Sequence, residues 1–287
     1  MPNSAHNPTP KSPRKTARGL LAWLTGCALA LGLLWWWSGT AGSLGSSLRA
    51  IAWLLPAGQS LHASQVQGSL RHGGQVGQLR WEKSGLQAQA LDLSLTMDWS
   101  RLALQHTLPL GQLSIGRLSI TDRRPTSAPQ APQSLQWPLH IDLSWQVAQL
   151  AVTGAWNFEA SDLRASYRYN GLMHTLDMPS VQVAQGQYTL QANLQAAAPM
   201  ALQASLQGQV DVPGNAHQAP TRLRAQATAQ GTLSGSDALL NVQAQWHPDL
   251  AAPLAQPIQL ALEARIQPWQ AQPIAQAHAQ WQYLNLA

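Results

Sequence analysis

The chain has one Cys, one Phe and three Lys in 287 residues, and charged residues make up only 10% of it. A single Cys excludes a disulfide framework and any zinc cluster built on thiolates. Hydrophobic residues reach 45%, so the chain lacks the low hydrophobicity and high net charge of a disordered protein. No stretch alternates strand and helix patterns, which argues against a parallel βαβ sheet. Glutamine takes the place of charge: all 35 Gln occur from Gln59 onward. The wet surface is therefore polar but scarcely charged.

Catalytic and metal-binding patterns are missing as well. The His residues are His6, His62, His72, His106, His140, His174, His217, His247 and His278. None stands four residues from another, as a helical metal pair would. They read as surface or loop residues. Asp92 and Asp98 share one parity and read as ordinary solvated carboxylates. No G-x-S-x-G elbow or Gly-Lys phosphate loop is present. The chain reads as a non-enzyme without cofactor or metal.

The formal charge of +5 suggests nucleic acid at first sight, but its distribution speaks against that. Lys11, Arg14, Lys15 and Arg18 precede the first apolar run with no acid among them. After it, 13 Lys or Arg face 12 Asp or Glu. A nucleic-acid binder needs clustered cations to neutralise phosphates.

Leu20 to Trp37 reads LLAWLTGCALALGLLWWW without a charge. Its length approaches the ~20 residues that cross a bilayer as a helix. The basic segment 1–18 would stay cytoplasmic by the positive-inside rule, and Trp35, Trp36 and Trp37 would form an interfacial belt. The expected anchor is 19–38. A cleaved signal peptide fits less well, because the run is long and three Trp precede the small residues at 40–42. A lipoprotein fits less well because apolar residues continue past Cys27. A juxtamembrane amphipathic helix, or equally a short amphipathic core helix, is expected over 43–58, stopped by Pro56 and Gly58.

From Leu70 the rhythm has period two. Leu91, Leu93, Leu95 and Met97 alternate with polar residues, as do Leu139, Ile141, Leu143, Trp145 and Val147. Such alternation marks strands with one dry face. In Leu113, Ile115, Leu118 and Ile120 the parity slips at Gly116, as a bulge requires. Twelve strands are expected between 75 and 286, among them 172–178 and 181–196, with a hairpin at Asn170-Gly171. A short helix fits 99–108, and 123–137 reads as an exposed Pro-rich loop. The fold class is all-β with one N-terminal transmembrane helix: a long, mostly antiparallel meander curved into a groove or β-solenoid. The divisions are a β-region at 62–122 and a repetitive β-region at 138–287. The latter stops inside a strand pattern, so a longer repetitive protein is expected.

The order of features resembles the N-terminal part of the TamB family, within the AsmA-like group. The likeness lies in the anchor, Trp53-Leu54-Leu55-Pro56, Val66 to Leu70, Val76 to Trp81, Ala90 to Arg101 and Leu110 to Ile120. The resemblance implies a bacterial inner-membrane protein, N-terminus cytoplasmic, whose periplasmic β-groove is lined with apolar side chains. It implies phospholipid transport toward the outer membrane, or assembly and secretion of outer-membrane β-barrels with an Omp85-type, TamA-like partner. The candidate acyl-chain groove is Leu91, Leu93, Leu95, Leu113, Ile115, Leu118, Ile120, Leu139, Ile141 and Leu143, and the candidate anchor residues are Leu20 and Trp35 to Trp37. A filled β-core is the plain alternative for the same apolar residues.

Overall fold

The computed structural model describes residues 14–124, 130–154, 157–212, 221–248 and 259–282, with no account of the side chains of 14–24, 212, 221, 259 and 282. The basic tail before residue 14, the side chain of Leu20, His6, His217, the turn at Pro213-Gly214 and the last residues of the final expected strand therefore lie outside what is described.

Helix α1 (Arg14–Ser38) and helix α2 (Ser43–Leu54) precede 13 strands, with helix α3 (Trp99–Gln105) inserted after the third. The strands are β1 (Gln59–Ser69), β2 (Gly73–Lys83), β3 (Leu86–Met97), β4 (Leu110–Asp122), β5 (Ile141–Thr153), β6 (Phe158–Tyr169) and β7 (Met173–Val183). They continue as β8 (Gly186–Gln195), β9 (Ala201–Val212), β10 (Thr221–Thr232), β11 (Leu240–Pro248), β12 (Gln259–Ile266) and β13 (Ile274–Gln282). All pair in sequence order in one open sheet. Among the residues with described side chains, which leave out 14–24 of α1, no helix is long and apolar enough to cross a membrane.

β1 to β3 and β6 to β8 are joined by connections of two or three residues, so they pair antiparallel. Ser84 and Gly85 both have positive φ, 47° and 89°, which matches the backbone of a two-residue hairpin to the strand twist. At Asn170-Gly171 the Asn side chain accepts from the N–H groups of Leu172 and Met173. One junction differs from the expected meander. β4 and β5 run parallel, because the connection between them returns the chain to the end of the sheet from which β4 started.

The expected bulge at Gly116 is a larger feature. Register stays constant on both sides of Gly116, with Leu91 opposite Arg117 and Leu93 opposite Ile115. No residue is inserted in one strand alone. Instead the ladder lapses at Gln65, Gly77, Asp92, Gly116, Ala148 and Asp162, at one level across β1 to β6. Gln65, Asp92 and Asp162 have φ of 53°, 53° and 49°. The strands between them place Gly or Ala opposite. A Cβ on Gly77 would lie 2.9 Å from the Cβ of Gln65, and one on Gly116 would lie 3.0 Å from that of Asp92. Every strand slips parity at the same level, so the apolar face continues unbroken across the slip.

That slip corrects several sequence expectations. β1 was not expected as a strand: its inward residues are Leu61 and Ala63 before the slip and Val66 after it, so no alternation shows. β7 runs through Pro179 to Val183 rather than ending at 178. Its pairing with β8 shifts between Met178 and Val181, and a bulge is where a strand tolerates Pro. The loop after β4 is not wholly exposed. The backbone of Leu135 and Trp137 is hydrogen-bonded to residues of the sheet, as described next.

Candidate functional site

The sheet sorts its side chains into two faces. Flanking the slip, one apolar row runs Val66, Val76, Leu93, Ile115, Val147 and Leu163. The other runs Ala63, Leu79, Ala90, Leu118, Leu150 and Ala160. All twelve belong to one apolar cluster, and Val76 and Val147 are each 1% exposed. Among the described residues no second sheet covers them. This apolar face is the candidate site.

Beyond β7 the same face changes in size. Its rows include Leu190, Leu206, Ala227, Ala244, Leu262 and Ala279, and beside them Ala192, Ala204, Ala229, Val242, Ala264 and Ala277. Small side chains leave the face shallow here. Tyr188 lies flat over its cross-strand partner: a Cβ on Gly208 would come within 2.1 Å of the Tyr188 ring. The opposite face carries rows such as Asn193, Gln203, Gln230, Asn241, Arg265 and Gln276. This is where the glutamines go. They hydrate the outer face without repelling one another, as like charges opposite each other would.

The sequence-derived groove residues divide as follows. Leu93, Leu95, Leu113, Ile115 and Leu118 join the cluster. Ile120 continues the face between Ala88 and Val152. Ile141 and Leu143 lie opposite Tyr169 and Tyr167. Leu139 precedes β5 and holds no position in the ladder. Leu91 is a correction: it pairs with Gln78 and Arg117, in the polar row that ends at Gln149 and Ser161. The parity slip separates it from Leu93 and Leu95. Trp35, Trp36 and Trp37 are exposed on α1.

Three features were not legible in the sequence. The first is a buried polar latch. His174 is 5% exposed, which corrects its expected place on the surface. Its Nε2 donates to the Leu135 carbonyl at 2.8 Å, and its Nδ1 accepts from the Tyr167 hydroxyl at 2.6 Å. The acceptor role of the carbonyl decides that tautomer. The ring stacks on Tyr169 at 4.5 Å, and Tyr169 Oη accepts the Trp137 N–H. The Leu135 N–H reaches the Ala196 carbonyl. The returning segment is thus fastened to the apolar face at β6, β7 and the end of β8. Burial raises the Tyr167 pKa, with a smaller contribution from Tyr169, so its hydroxyl stays protonated as the donor to His174.

The second feature ties α3 to the sheet. Arg101 donates to the Asp142 carbonyl at 2.9 Å and to its carboxylate at 3.1 Å. Asp98 caps the helix by accepting from Ser100 N, and that hydroxyl and amide hold its pKa below the usual carboxylate value. The third joins α1 to the sheet. Ser43 Oγ donates to the Ser38 and Thr40 carbonyls and accepts the Leu70 N–H. The Gly42 N–H reaches the Gly68 carbonyl. Trp99 Nε1 donates to the Leu70 carbonyl at 3.0 Å.

Family models, curated proteins and solved structures offer no match to this chain. Its reading therefore rests on its own geometry. Among the described residues no three His, Cys, Asp or Glu come together to hold a metal. What the arrangement offers chemically is a long apolar surface backed by a polar one.

Proposed function

We propose that this chain is an inner-membrane-anchored periplasmic protein of TamB or AsmA-like type that carries phospholipid between the inner and outer membranes. In this reading the 13-stranded sheet is a groove. Acyl chains lie on its apolar face and headgroups ride at its open side. No catalytic residue, cofactor or nucleic-acid partner enters the proposal.

The observation that carries it is the continuity of the apolar face through every strand from β1 to β13. Each buried CH₂ contributes roughly 0.8 kcal/mol. A lipid tail lying along such a face keeps the covered part of its surface from water. The uncharged run 20–37 within α1 supports an anchor of one span. The basic residues before it support a cytoplasmic N-terminus.

The test is native mass spectrometry with lipid extraction on the full chain, purified in mild detergent. Co-purified phospholipid should be lost in Leu206→Asp, which charges the apolar face of β9. It should persist in Gln207→Asp, which charges the opposite face, with β-type circular dichroism in both. Lipid-free protein, or equal retention in both variants, overturns the reading.

A second reading is a scaffold for outer-membrane β-barrel assembly with an Omp85-type, TamA-like partner. The observation favouring it is the outer edge of β13, which has no strand partner among the described residues, whereas α2 packs against β1. An exposed edge can template a client strand. That reading expects Leu206→Asp to be tolerated and proline substitutions along β13 to abolish partner capture.

A further inference from the structure

Helix α2 is apolar on two sides. Leu44 is buried and Leu48 packs against the sheet's apolar cluster. Ile51, Trp53 and Leu54 are left 49%, 85% and 71% exposed. A helix resting on a sheet in water carries one apolar stripe. A second stripe suits a helix lying in a membrane interface. Only residues 39–42 separate α2 from α1, whose exposed Trp35 to Trp37 end that helix. With α1 crossing the bilayer as proposed above, the outer stripe of α2 meets the same interface.

Between α2 and β1 lies an open cleft of about 430 Å³, lined among others by Leu48, Arg49, Ala52, Leu61, His62 and Ala63. Leu48 and Ala63 are also packed against the apolar cluster. The floor of the cleft is therefore continuous with the apolar face of the sheet. Its wall carries Arg49, whose Nε makes a 3.4 Å hydrogen bond to the Gly45 carbonyl. On β2, Glu82 lies in register with Ser60 of the cleft and is paired with Arg80. A cation beside an apolar floor fits an amphiphile with an anionic head.

We infer that this cleft is the entry site for a single phospholipid, with its phosphate at Arg49 and an acyl chain passing between Leu48, Ala52, Leu61 and Ala63. The inference rests on the carrier reading above and names where the lipid leaves the bilayer. α2 then acts as a sill between the leaflet and the sheet.

The experiment uses the full chain in nanodiscs of mixed phosphatidylcholine and phosphatidylglycerol, with a photo-crosslinking residue at Leu61, Leu54 or Leu206 in turn. Lipid adducts are read by intact mass. A probe at Ser60 replaces the one at Leu61 if the latter disturbs the β-type circular dichroism. Adducts are expected at all three positions. Arg49→Gln should lower the adduct at Leu61 roughly fivefold, the effect of about 1 kcal/mol for one cation near a phosphate. Arg49→Lys should retain it. Leu54, exposed on the outer stripe of α2 and outside the cleft lining, reports the surrounding bilayer and should not respond to Arg49. Adducts at Leu206 with none at Leu61, or adducts at Leu61 indifferent to Arg49→Gln, overturn the entry site and leave the carrier reading standing. An Arg49-dependent adduct at Leu61 with none at Leu206 supports a lipid site in the cleft and overturns the carrier reading. Adducts at neither Leu61 nor Leu206 overturn both.

Discussion

The guanidinium carbon of Arg71 sits 3.8 Å above the indole of Trp35, and its Nη2 donates to the Trp35 carbonyl at 2.5 Å. The two residues lie 36 positions apart. The Arg71 N–H also reaches the Ser38 carbonyl at 2.9 Å. A cation here meets the negative end of the α1 dipole and the face of an aromatic ring, and both attract it. The turn between β1 and β2 is thereby clamped onto the last turn of α1. In the carrier reading, this clamp sets the sheet's position against the membrane.

Arg71→Ala should loosen that clamp at a cost of about 1–3 kcal/mol, the sum expected from a charged hydrogen bond and a cation–π contact. Arg71→Lys should cost less. Lysine keeps the charge and removes Nε, which is buried without a partner among the described residues. Hydrogen exchange at Gly42 and Arg71 in the full chain reads the effect. Unchanged protection in Arg71→Ala would show that Ser43 and the backbone hydrogen bonds hold the junction without the Arg71 side chain.

The parity slip gives paired expectations. Gly116→Val should destabilise by roughly 2 kcal/mol or more, because an added Cβ would crowd that of Asp92 and branching adds to the overlap. Gln65→Gly should be neutral or stabilising by up to about 1 kcal/mol, because glycine adopts positive φ without the Cβ penalty. Urea denaturation midpoints at constant slope decide it. A tolerated valine would mean that the two strands can move apart at this level.

His174→Phe keeps the stacking surface but deletes both hydrogen bonds of the latch. It should cost about 1–3 kcal/mol, as expected when a buried acceptor and a buried hydroxyl lose their partner. Exchange should accelerate at the Leu135 and Trp137 amides before any strand amide responds. If the strand amides respond together with them, the returning segment is part of the global fold and not a separate latch.

Asp122 has its pKa lowered from 3.8 to about 2, first by its side-chain hydrogen bonds with Arg124 and then by the Arg124 backbone N–H. The folded value lies below the unfolded one. The contact's contribution is therefore fully present above the unfolded value and is lost as pH falls through about 2. A carboxyl NMR titration should place the Asp122 midpoint near 2. Arg124→Gln should bring it back toward 3.8.

Much of the fold could be read along the chain because a strand with one dry face writes its geometry as alternation. Ile141 to Val147 and Leu202 to Leu206 show it plainly, and the observed β4 spans the expected 110–122. The same code failed where the slip interrupts it. Leu91, Leu93 and Leu95 look like one run, yet a positive φ at Asp92 sends Leu91 to the opposite face. β1 was invisible for the same reason at Gln65. Local sequence records the parity of each residue but not a parity slip shared with five neighbouring strands.

The sequence by itself determined the all-β class, the Gln-rich polar face, the apolar run before residue 38 and the positions of most turns. These depend on local periodicity and on which residues tolerate a turn. Only the tertiary structure decided that β4 and β5 are parallel, that His174 is buried against Leu135, and that Arg71 grips Trp35. Each joins residues tens of positions apart, and their proximity follows from how the sheet stacks its strands. No pattern within one strand encodes it.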